Sequence, residues 1–300
     1  MRHTPRRQTG LKLGLITLGV VMAGFLGVFL FGPDRDPVKS DGPDAVSALA
    51  LLDKLTDSPT RKAVEALQAA SPGTYAQLQT EAALALKDGA DADALSNLTL
   101  QALFGEFQNK ALVFRSARSE DYHAIIVELS KGLQQLKALD SRWCEGDQIA
   151  AYLAQNESDL VPTLLAEFPY GSPQYDWAMD WMSVILITAQ RAQDAPTRHP
   201  RPGFRDETTL QQEGLALGSE QWGLALQIAA FANSEGISYA RMQEVVSGMD
   251  VCQLGIAVEA VSERLPADVR GRIWADLMPE IMIGNTPYVM WRVTDYFFIG

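Results

Sequence analysis

The chain has 300 residues, 47% of them hydrophobic, two cysteines and a formal net charge of −12 at pH 7. All 37 acids lie beyond residue 33, against 21 Lys and Arg there, so that part carries −16. Such a surface is repelled by phosphate backbones and anionic headgroups, which argues against nucleic-acid binding.

Residues 1–12 form a basic tail carrying Arg2, Arg6, Arg7 and Lys12 and no acid. Residues 13–32 are apolar and uncharged. About twenty such residues, at ~1.5 Å each, cross a hydrocarbon core of ~30 Å as one helix. A cleaved signal peptide is the competing reading, with Val21-Met22-Ala23 as its site, but apolar residues continue to Phe31. That exceeds an h-region of about 7–15 residues, so the expectation is a retained single-pass signal-anchor. The basic tail places the N-terminus in the cytoplasm and the bulk of the chain outside. A bacterial inner membrane with the domain in the periplasm suits this layout.

Residues 33–43, PDRDPVKSDGP, hold three prolines among charges and read as a linker. From 44 to 300 the pattern is helical, so the fold class is all-α. The expectation is a globular multi-helix domain, either a bundle or an irregular α-solenoid-like array. Weaker helices fill 44–117. Ser119 reads as an N-cap ahead of a stripe at Tyr122, Ile126, Leu129, Leu133 and Leu136. Ser172-Pro173 opens a helix with Trp177, Trp181, Val184 and Ile185. Residues 238–248 read as a short helix from a Ser cap to a Gly stop. Asp250 caps a helix with Val251, Leu254, Val258, Val261 and Leu265, halted by Pro266. Val269, Ile273, Leu277 and Ile281 mark another, and the aromatic C-terminus reads as a final helix. No repeat of about 34 or 40 residues survives alignment.

In an exported domain Cys144 and Cys252 are expected to form a structural disulfide. Two buried free thiols are the alternative, and a reactive pair would normally use a C-x-x-C that the chain lacks. No H-E-x-x-H, cysteine cluster, G-x-S-x-G, P-loop or Rossmann glycine pattern occurs, so no metal or cofactor is expected. Glu120, Asp121 and His123 place carboxylates near an imidazole, although acids are common in helix first turns. The segment 191–207 stands out against the acidic background. It holds Pro196, Pro200 and Pro202 with Arg191, Arg198, His199, Arg201 and Arg205. Three prolines cannot continue a helix, so this is a stiff connection and a candidate docking loop for an anionic partner. It is also the natural place, near 194–206, to divide the helical domain into two halves. Trp177 and Trp181 are candidate walls of an apolar groove for a partner helix, although the same spacing suits a core.

Together these readings point to a membrane-anchored, extracytoplasmic helical adaptor or assembly factor that binds another cell-envelope protein, more readily than to an enzyme. A cell-envelope hydrolase with carboxylate chemistry and a ligand-binding domain are the alternatives.

Overall fold

The computed structural model describes residues 58–139, 141–148, 165–220, 247–285, and Tyr288, Val289, Arg292 and Tyr296. The basic tail, the apolar run 13–32, the linker 33–43 and nearly all of the helix expected at 238–248 lie outside these residues. Among the described residues no helix is long and apolar enough to cross a membrane.

Three helices open the described chain: α1 Ser58–Ala70, α2 Pro72–Lys87 and α3 Ala92–Asn109. A 3-10 turn, Ala111–Ser116, leads into α4, Ser119–Ala138. A second, Arg142–Cys144, follows it. Then come α5 Pro173–Asp194, α6 Phe204–Glu220, α7 Val251–Arg264 and α8 Ala267–Met282. Among the described residues the one β feature is an isolated antiparallel bridge between Glu145 and Asp250.

The helix ends follow from local chemistry. Ser172 accepts from Tyr175 N at 3.2 Å and Asp250 from Gln253 N at 2.8 Å, each satisfying an orphan donor of a first turn. Leu265 precedes Pro266 and is extended, with ψ 137°, which ends α7 there. Gly284, at φ 67°, closes α8 in the left-handed conformation that glycine adopts without penalty. The cap expected at Ser119 falls one residue earlier. Arg118 is the extended residue, with ψ 156°, and Ser119 already lies in the first turn. Its hydroxyl accepts from Arg270 Nε on α8 at 3.1 Å instead.

Helix α4 is the hub. Its stripe of Tyr122, Ile126, Leu129, Leu133 and Leu136 is fully buried, and it packs against α5, α7 and α8. Burying each large apolar side chain of this kind stabilises by roughly 1.5–3 kcal/mol. Helix α1 lies along α5, α2 joins α1 to α3, and α6 touches α7 and α8. The apolar side chains before and after the connection at 195–203 belong to one core.

Trp177 and Trp181 correct the groove reading. They are 8% and 1% exposed and fill the space between α5 and α4. Their indole Nε1 groups donate to Glu128 O at 2.8 Å and Ile125 O at 3.1 Å. The approach is so close that a Cβ on Gly132 of α4 would lie 1.8 Å from Trp177 Cε2.

Candidate functional site

The proline-rich segment forms the α5–α6 connection, 195–203, and runs without helix as its composition requires. Two hydrogen bonds pin it across the body of the protein. Thr197 N donates to Ser116 O at 2.8 Å, and His199 Nε2 donates to Ala117 O at 2.6 Å. The His199 ring also lies 5.9 Å from that of Tyr122 and directly over Gly271 of α8.

Beyond His199 the strap borders an open cleft of about 410 Å³. Four arginines from four parts of the chain line it: Arg115, Arg201, Arg272 and Arg292. Pro200, Pro202, Ala275 and Tyr288 supply apolar wall, and among the described residues Asp276 is the lining carboxylate. Three of the arginines already face acids. Arg272 grips Asp206 through two bonds, at 2.7 and 3.0 Å, and meets Asp268 at 2.9 Å. Arg292 donates to Asp276 at 2.7 Å and lies 4.2 Å over the Tyr296 ring. Arg115 is 3.7 Å from Glu280, a loose contact. Arg201 is exposed and has no ion-pair partner among the described residues.

The local electrostatics follow from these pairs. Burial pushes the Asp206 carboxyl up, but the bonds from Arg272 and Gly203 N outweigh it and hold it below its ordinary value. Burial, helped by the Asp276 charge, raises the Tyr296 phenol far above its ordinary value, so it stays protonated and donates to Asp276 at 2.5 Å.

The arginines expected to act together divide. Arg201 and His199 reach the cleft, whereas Arg198 and Arg205 are exposed beside it and do not line it. Arg191 sits on the last turn of α5 and donates to the buried Asp121 at 3.0 Å, a structural pair shared with Arg118. Arg115, Arg272 and Arg292 were not foreseen. Each stands within a few residues of ordinary helix-face neighbours, and only the fold gathers them.

The expected disulfide is present. Cys144 and Cys252 are bonded, with Cα atoms 4.9 Å apart. Gly146 N donates to Met249 O at 2.8 Å beside it, and Lys137 reaches Asp250 at 3.1 Å. Asp250 lies near both sulfurs, making the one metal-like grouping of Cys and Asp among the described residues. The sulfurs are joined to each other and Asp250 caps α7, so the grouping is accounted for without an ion. His123 Nδ1 is buried and has no hydrogen-bond partner among the described residues. Its neighbours in sequence turn elsewhere: Glu120 pairs with Arg118 at 3.2 Å and Asp121 with Arg118 and Arg191. Compared with protein-family models, with curated proteins and with solved structures, the chain matches none of them.

Proposed function

We propose that this chain is a membrane-anchored, extracytoplasmic helical adaptor that binds another cell-envelope protein, and that the α5–α6 strap with its cleft is the docking face. One observation carries the reading: four arginines and a histidine converge on an open cleft in a chain of net charge −12. An anchored domain meets membrane neighbours at high effective concentration, so modest contacts at such a face suffice. The apolar run 13–32 and its basic flank support the anchor, and the disulfide is at home in an oxidising compartment outside the cytoplasm. Carboxylate-pair hydrolysis would need two carboxyls facing one another, and among the described residues the lining supplies Asp276, which Arg292 and Tyr296 already hold.

The test is photocrosslinking in the cells that make the protein. A photoreactive amino acid is placed at position 198 of the full-length chain, with position 87 on α2 as control. The expected result is one envelope protein captured from 198, absent from 87, and lost when Arg201 and Arg205 become Ser. Equal capture from both positions, or none from either, overturns the adaptor reading.

A further inference from the structure

We infer that the cleft recognises a carboxylate carried on an extended peptide segment, with Arg201 and Arg115 as its primary contacts. This rests on the adaptor reading only for the source of the peptide. The chemistry follows from the count of charges. Arg272 and Arg292 are each held by a carboxylate of this chain within 3 Å. They shape the cleft and leave little charge to offer. Among the described residues Arg201 is uncompensated and Arg115 has only its 3.7 Å contact with Glu280. With Arg115 partly offset by Glu280, the charge on offer is nearer one than two, which suits a singly charged carboxylate more than a phosphate dianion. The planar fork of a guanidinium fits a carboxylate through two parallel hydrogen bonds.

Size and wall chemistry extend the argument from the ion to the peptide. A water takes about 30 Å³, so a lone carboxylate would leave most of 410 Å³ empty. The remaining wall is Pro200, Pro202, Ala275 and Tyr288, which offers apolar contact to side chains flanking an acidic residue. The strap is also held in place before any ligand arrives. Its prolines fix φ, and Thr197 and His199 tie it to Ser116 and Ala117, so little ordering is left to pay on binding.

The test is calorimetric titration of the full-length protein in detergent, at low and physiological salt. The probes are the blocked pentapeptide Leu-Pro-Glu-Pro-Leu, which carries a single carboxylate, its Gln-for-Glu analogue, and inorganic phosphate. The Glu peptide is expected to bind saturably and at least tenfold more tightly than the Gln peptide. Arg201→Ser and Arg115→Ser should each weaken it about three- to tenfold, and Arg142→Ser, outside the cleft, should not. Higher salt should weaken it further. Equal binding of the two peptides, no saturable binding, unchanged binding in the double variant R115S/R201S, or tighter binding of phosphate than of peptide would each overturn the inference. Peptide binding without crosslinking at 198 sinks the envelope-partner reading and leaves the site. Crosslinking without peptide binding sinks the site alone.

Discussion

Asp121 and Asp206 show how single acids fix the positions of the elements around the cleft. Asp121 is 2% exposed and receives bonds from Arg118 and Arg191, and Asp206 receives two from Arg272. For both carboxyls burial raises the pKa and the arginine bonds more than offset it, so the folded values lie below the ordinary one. The sign follows from linkage. A lowered folded value contributes stability that is present above the unfolded value, about 3.9, and is lost as pH falls through the folded value. The melting temperature should therefore be flat above about pH 5 and fall steeply below about pH 4. Asp206→Asn should be less stable at neutral pH and show a shallower acid limb; an acid limb identical to that of the unsubstituted protein would contradict this. At this scale the sequence was partly legible. Asp250 and Ser172 announce their caps because a short acceptor precedes an apolar stripe. Ser119 has the same signature and misleads, since its hydroxyl serves Arg270, 151 residues away.

Among the elements, the contact of α4 with α5 is the least forgiving. Gly132 is needed because the Trp177 indole occupies the space where any Cβ would stand. Gly132→Ala should cost about 3 kcal/mol or more, because neither a helix backbone nor a ring anchored to Glu128 O can move aside. A double-mutant cycle with Trp177→Leu checks it: the cost of the alanine should largely vanish once the indole is gone. Additive costs would show that the strain lies elsewhere. The helical periods were readable: α4, α5 and α7 begin within a residue of their expected starts, α7 stops ahead of Pro266, and α8 contains its expected stripe. Whether the Trp177–Trp181 face lines a groove or a core was not, because periodicity reports that a face is apolar and not what covers it. A lone glycine within the α4 stripe was the available signal of close packing. The cleft was half legible for a related reason. Its strap is written in prolines and arginines at one place, whereas Arg115 lies in a 3-10 turn, Arg272 in α8 and Arg292 beyond it, and each resembles a routine surface pair.

At the scale of the whole molecule the disulfide joins the 3-10 turn that follows α4 to the first turn of α7, and α4 and α7 already pack on each other. Closing 108 residues of sequence removes freedom chiefly from the unfolded chain, and about 2–4 kcal/mol is the usual gain for a native bridge. Cys144→Ser with Cys252→Ser should lower urea stability by that order while the helical circular dichroism of the native state persists. No change in midpoint would mean that the α4–α7 packing alone fixes the register. The same bond alters how the cleft belongs to the chain. Covalently the molecule is a ring with two arms: the ring carries α5, the strap and α6, one arm carries α1 to α4, and the other carries most of α7, then α8 and Arg292. His199 and Arg201 ride on the ring, Arg115 hangs on the first arm, and Arg272 and Arg292 on the second. A single backbone cut between the cysteines would open the ring without parting the arms, and no contiguous fragment that drops either arm carries the whole cleft.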